Sequence, residues 1–560
     1  MGTRGHVNQR KRSSISRSLV GALQQCGKRE RERAAASNAA GNRAYAQGRL
    51  DQAESSYLLA VHHDPSYTDA HFNLGNVRYT QGDYVGALEC YGRALTTGTP
   101  QADLYTSMGV THVALNDLVN AKLCLLKALE FDAQYPEAFY NLGNVLTKER
   151  EYALAVKCFE SAIAHRPAYV QAHHNLGGAQ QQLGDLKAAT ESYMRALRLA
   201  PSDREVLINL ADTLALQGSS EGLFLYEKLI AEQAMSADAH WNASTAFLLH
   251  GDYVRGWQEY EWRWKSKHFP SVKPDLPSTE WSGEALEGAS IIVYSEQGFG
   301  DTLQFARYIP LLADRGARVY FQVPGALKRL MTRVPGIVEI FGTDEALPEA
   351  DYHCALMSLP LLFQTTIETI PLPSDFGSSG LLASSVRKDD SRITVGLVWA
   401  GNPKHQYDHL RSMSLADFLP LAKVDGVDFV SLQKGAPALE LSKVAFPGGI
   451  RDACAECIDF QDTADIVESL DLIIAVDTAV AHLAASMGKP VWLLLRNIPE
   501  WRWGLSSDSV AWYPTVRLFR KPLGTKWETL LHSVSLQLMA FVAEHSIVPR
   551  AQPRLTSHPK

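Results

Sequence analysis

Small residues recur along the first half of the chain at a fixed distance. Gly41, Gly75, Gly109, Gly143 and Gly177 lie 34 residues apart, as do Ala53, Ala87, Ala121, Ala155 and Ala189, and Ala60, Ala94, Ala128, Ala162 and Ala196. Apolar residues between them keep helical spacing, interrupted by pairs such as Gly82-Asp83 and Gly184-Asp185, with Pro65, Pro167 and Pro201 closing repeats. The period predicts stacked helix-turn-helix units with small residues where paired helices touch. Clear units cover about 35–201 and a degraded one 202–235. A last unit, one residue short, runs through Asn242, Gly251 and Gly256 into WQEYEWRW at 257–264.

The pattern then changes. KSKHFPSVKPDLPS breaks helical periodicity and predicts a linker at 265–280. From Trp281, β-rich runs (291–297, 319–323, 338–342) alternate with amphipathic ones such as DTLQFARYIPLLADRG, which predicts a parallel sheet in βαβ units over 281–370. A Pro-, Ser- and Gly-rich stretch at 371–391 separates it from a second lobe, 392–545, with strands at 393–400, 427–434, 471–477 and 490–495 and a buttressing helix at about 525–545. Residues 546–560 are read as a tail.

The 34-residue unit resembles the tetratricopeptide repeat. Asn73, Asn141, Asn175 and Asn209 share one phase of it, Asn242 joins after the one-residue deletion, and Ser107 is the exception. In that family the phase lies on the helix lining the concave groove, and the series is similar to the asparagine ladder of O-GlcNAc transferases. An amide offers donors and acceptors, so the ladder would hold an extended polypeptide or protein partner by its backbone. The other reading is that these amides bond neighbouring turns.

The second half resembles GT-B glycosyltransferases, above all the heptosyltransferases, at three places. SEQGFGDTLQFARYIPLL has their Gly-Asp between strand and helix. GLVWAGNPKHQYDHLRSMSLADFLPL is similar to the loop opening their second lobe. DLIIAVDTAVAHLAASMGKPVWLLL is similar to their Asp-Thr-Gly-x-x-His stretch, with Ala479 where Gly is usual. The resemblance implies an α-helical tetratricopeptide solenoid followed by a two-lobed, double Rossmann α/β domain binding a nucleoside-diphosphate sugar as substrate, with no cofactor.

The residues give that expectation its chemistry. Strand 471–477 ends at Asp477, so Thr478 opens a helix whose free N–H groups and positive dipole end suit a diphosphate. His482, one turn on, would bond a phosphate or sugar oxygen or else be structural. Arg411, Lys404 and Lys434 in strand-end loops would neutralise the leaving diphosphate without a metal. Asp301 is the candidate general base, or a helix cap, and Gly298 and Gly300 are expected to allow the turn before it. Trp501, Arg502 and Trp503 would either stack on the base or close the cleft, or pack in the core.

Composition changes the picture at few points. At 560 residues, 46% hydrophobic and 21% charged, the chain is an ordinary multidomain globular protein. Residues 1–33 carry nine Lys or Arg against two Glu, so a +7 tail leaves −14 for the rest of a chain of net charge −7. The tail is expected to be disordered, with nucleic acid or anionic lipid as a secondary possibility, while the acidic body argues against nucleic acid as the main ligand. No apolar run is long enough to span a membrane and no signal-peptide pattern opens the chain, so a cytoplasmic protein is expected. Of the cysteines, Cys90, Cys124 and Cys158 fall on one repeat phase, and Cys454 and Cys457 have CxxC spacing without a second ligand pair for zinc. The expected function is transfer of a sugar to an acceptor presented by the solenoid; the alternative is a catalytically inert scaffold, favoured by Ala479 and the short first lobe.

Overall fold

The computed structural model describes residues 27–232, 235–374, 376, 392–403 and 408–546. They form two compact units, dividing between Leu207 and Ile208.

The first unit is a run of paired helices: 27–46 with Leu50–His63, Thr68–Gln81 with Tyr84–Thr97, and so on to Val170–Gln182 with Leu186–Leu199. Steric contact explains the signature glycine. A Cβ at Gly75 would stand 2.4 Å from the Tyr91 ring of the paired helix, and Gly143 faces Phe159 and Gly177 faces Tyr193 in the same way. The repeated alanines Ala53, Ala87, Ala121, Ala155 and Ala189 have no exposed surface. Each turn is punctuated by its own chemistry: Gly82 takes the left-handed conformation (φ 85°) that closes one helix, and Asp83 accepts from the Gly86 amide to open the next. Residues 27–33, expected in the disordered tail, are helical; 1–26 and 547–560 lie outside the described residues.

The second unit begins inside the predicted solenoid, whose last helices belong to it. Its helices Ser220–Ala231, Ala237–Leu249 and Tyr253–Tyr260 lead to a five-stranded parallel sheet of order β1-β5-β2-β3-β4. These strands are β1 (Thr279–Glu280), β2 (Ser290–Tyr294), β3 (Arg318–Val323), β4 (Ile337–Gly342) and β5 (Tyr352–Ala355). A six-stranded parallel sheet follows: β6 (Ile393–Val398), β7 (Val427–Ser431), β8 (Ile450–Asp452), β9 (Leu472–Val476), β10 (Val491–Leu495) and β11 (Val516–Arg520), in the order β11-β10-β9-β6-β7-β8. The order reverses between β6 and β9, whose carboxyl ends therefore flank a topological switch point. β1 lies at the end of the predicted linker, paired with β5.

The last repeat's aromatics are shared with the sheets. Leu249, Tyr253, Trp257 and Tyr260 belong to the core formed by both sheets' facing helices, and Trp257 meets Phe305, Trp501 and Trp512 edge-on. A second core under β6–β10 is closed by Leu531, Val534 and Leu538 of the Trp527–Ser546 helix, as expected. No helix of the described residues is long and apolar enough to cross a membrane.

Candidate functional site

After β2 the chain runs Ser295-Glu296-Gln297-Gly298 into the Phe299–Phe305 helix. The turn is not made by its glycines. Gly298 is extended (φ −97°), Gly300 has no positive φ, and the left-handed residue is Gln297 (φ 62°). Gln297 holds that unfavourable conformation through its side chain, which donates to the Tyr260 hydroxyl at 2.6 Å. Gly300 serves a different purpose: a Cβ there would be 2.8 Å from Cδ2 of His482, so only glycine lets the two strand-end elements meet.

Asp301 sits at the third position of its helix rather than at the N-cap. Its Oδ2 accepts from the Gly298 amide at 2.8 Å and its Oδ1 pairs with Arg502. Arg502 also donates to Gln304 Oε1 at 2.8 Å and Glu500 Oε1 at 2.7 Å. Burial pushes the Glu500 carboxyl up, with Arg502 opposing. Trp501 and Trp503 are buried, the first among Trp257, Phe305 and Trp512, the second against His482.

Across from this loop, Asp477 and Thr478 follow β9 and open the Ala479–Ser486 helix. Thr478 is the N-cap, nine-tenths buried, yet its Oγ1 has no protein partner. His482 is buried, with Nδ1 2.9 Å from the Tyr513 hydroxyl and Nε2 3.7 Å from Asp477 Oδ1. Burial pushes the Asp477 carboxyl up, but the neighbouring His482 and Arg411 outweigh it and hold it well below the usual carboxylate range. Arg411 is paired with Asp408 at 3.1 Å against the Gly401 backbone. The structure thus brings together Asp301, His482, Asp477, Thr478 and Arg411. Lys434 instead donates to the Cys457 carbonyl, and Lys404 lies outside the described residues.

The asparagine series is engaged within the repeats. Asn73 donates to Asn38 and Asn42 at 3.0 and 3.2 Å, Asn175 to Tyr140 and Asn144 at 3.2 and 2.7 Å, and Asn141 to the Glu137 carbonyl at 2.8 Å. Asn73 and Asn175 thus each donate both of these bonds to residues of the preceding repeat. Asn209 and Asn242 lie in the second unit.

Sequence reasoning missed two partnerships. One is Arg502 with Asp301. The other is Arg263 with Glu296, a buried pair joining the last repeat to the end of β2 at 2.8 Å. A signal for both was present, because Glu-Trp-Arg-Trp occurs at 261–264 and again at 500–503.

Comparison with known proteins divides along the same lines. Tetratricopeptide repeat models match residues 38–103, 102–135, 136–169 and 170–203. Residues 452–516, which contain Asp477, Thr478, His482 and Arg502, match glycosyltransferase family 9 (heptosyltransferase). Protein FlbA of Caulobacter vibrioides is 24% identical over 393 residues, covering 64% of this chain and 65% of FlbA, so the match spans just under two thirds of that relative. Among solved structures, YrrB, a TPR protein with an unusual peptide-binding site, is 24% identical over 30% of this chain and 86% of its own (TM-score 0.26). Pseudomonas aeruginosa PilF is 20% identical over 38% and 96% (TM-score 0.35).

Proposed function

We propose that the second unit is a GT-B glycosyltransferase that moves a sugar from a nucleoside-diphosphate donor to an acceptor, without a metal, and that the repeats present the acceptor or a protein partner. The family 9 match supports sugar transfer. The observation that carries the finer reading is the meeting of two strand-end elements at Gly300 and His482, with the orphan Thr478 hydroxyl and Arg411 on one side and Asp301 on the other. The diphosphate binds at the start of the Ala479–Ser486 helix, where the positive end of the helix dipole and the Thr478 hydroxyl face acceptor oxygens and Arg411 offsets the charge that grows as the sugar leaves. Asp301 takes the acceptor's proton through a lone pair used by neither Gly298 nor Arg502.

Calorimetry with UDP, GDP, ADP and CDP in EDTA tests the reading, and binding of at least one at millimolar concentration or below is expected. Arg411→Ala weakens it more than Asp301→Ala. Asp301→Asn keeps an acceptor for the Gly298 amide, so it folds and binds nucleotide while transfer falls about 10²- to 10⁴-fold. One observation favours the inert scaffold instead: both Asp301 oxygens are already engaged. Absence of nucleotide binding across the panel would select that alternative.

A further inference from the structure

The two copies of Glu-Trp-Arg-Trp each set an arginine on a carboxylate of one segment. In the first, Arg263 donates to Glu261 of its own copy at 2.7 Å and twice to Glu296 Oε1, at 3.1 and 2.8 Å, with its guanidinium over the Trp264 ring. In the second, Arg502 donates to Glu500 of its own copy at 2.7 Å and to Asp301, with its guanidinium over the Trp501 ring. Glu296 and Asp301 are the two carboxylates of one short segment, 296–301, the connection from β2 into its helix. One copy ends the last helical repeat and the other follows β10 of the second sheet, so the segment is gripped from two elements 239 residues apart in sequence.

We propose that the two copies form a paired clamp and that Arg263 and Arg502 are positioning residues for the 296–301 segment, Arg263 fixing its root and Arg502 its tip. The proposal rests on reading this segment as the reaction loop. The grips differ in kind. Arg263 has no exposed surface and all five of its N–H groups have acceptors, the remaining two being the Tyr260 carbonyl at 3.2 Å and Ser358 Oγ at 2.8 Å. Arg502 reaches Gln304, Glu500 and Asp301 through three. Between the grips, Gln297 is left-handed, held by its bond to the Tyr260 hydroxyl, and Asp301 accepts from the Gly298 amide. The planar guanidinium fork is what lets one side chain bind its own motif and the loop together, so lysine replaces it only in part.

Hydrogen exchange of the full chain, with Arg502→Gln, Arg502→Lys, Asp301→Asn and the Arg502→Gln/Asp301→Asn double variant, tests this. Exchange across 295–305 is expected to rise tenfold or more in Arg502→Gln with β10 unchanged, to return partway in Arg502→Lys, and to rise no further in the double variant. Unchanged exchange, or a uniform rise that includes β10, would overturn the clamp. With whichever nucleoside diphosphate of the panel binds and its sugar as donor, Arg502→Gln should lower turnover tenfold or more with the diphosphate Kd within threefold; a larger loss of affinity would make Arg502 a binding residue instead. If nothing in the panel binds the wild type, the transfer reading falls, and the exchange comparison still decides the clamp.

Discussion

The same repeat phase carries opposite residues in the two units. Ala60, Ala94, Ala128, Ala162 and Ala196 lie 34 residues apart and are wholly buried among the helices of the repeats. Carried forward two repeats and corrected for the one-residue deletion, that phase falls on Arg263, equally buried but bonded to Glu296 beyond the repeats. Nearby, where earlier repeats place one ring against a glycine, the last carries Tyr253, Trp257 and Tyr260 into the sheet core. Small residues let one repeat stack on the next; large aromatics and a buried charge tie the last repeat to the sheets. The helical period alone does not mark where a solenoid ends.

The sharpest way to break that comparison is Trp257→Ala. Trp257 is 1% exposed and lies within ring-packing distance of residues from the helices, the first sheet's layer and the loop after β10. Removing so large a buried side chain costs about 3–5 kcal/mol. Calorimetry should show the loss in the transition of the second unit, with the repeats up to Leu207 melting as before. Equal loss in both would mean that the last repeat belongs energetically with the others.

A somewhat smaller effect follows from the buried pair. Burial pushes the Glu296 carboxyl up to about 7, against the opposing charge of Arg263. A carboxyl whose folded pKa exceeds its unfolded value near 4.5 favours folding most below the unfolded pKa, and that contribution is lost as pH rises to the folded pKa. Stability should therefore decline between about pH 4.5 and 7, by on the order of 3 kcal/mol at most, and level off above. Glu296→Gln should flatten this slope while keeping an acceptor for Arg263. A slope unchanged in the variant would assign it to other groups.

What the sequence made legible follows from range. The repeats show because each signature glycine meets a side chain 16 residues later, as Gly75 meets Tyr91, within one period. The buried strands β2, β6, β9 and β10 show as continuous apolar runs, whereas β1 and β8, edge strands of two and three residues, carry too little pattern to stand out. The Phe299–Phe305 helix and its successor read as one amphipathic run because periodicity continues through the 3-10 turn before Pro310. Of the site, Asp477, Thr478 and His482 were legible because one strand-helix junction holds all three. The Asp301–Arg502 pair spans 201 residues, and only the duplicated tetrapeptide hints at it.

The asparagines give the smallest effect and the finest test of how self-contained the first unit is. Asn141 and Asn175 occupy the same phase in successive repeats, but Asn141 bonds the Glu137 carbonyl of its own helix while Asn175 reaches Tyr140 and Asn144 in the repeat before it. A part-buried hydrogen bond contributes about 0.5–1.5 kcal/mol net. Asn175→Ala should lose that much unfolding free energy in denaturant titration, because its bonds tie one repeat to the next, whereas Asn141→Ala should fall within about 0.5 kcal/mol of wild type, since a side chain bonding its own helix carbonyl at i−4 adds little to helix stability. Equal costs would mean that the amide bonds between repeats contribute nothing beyond the shared alanine and aromatic packing.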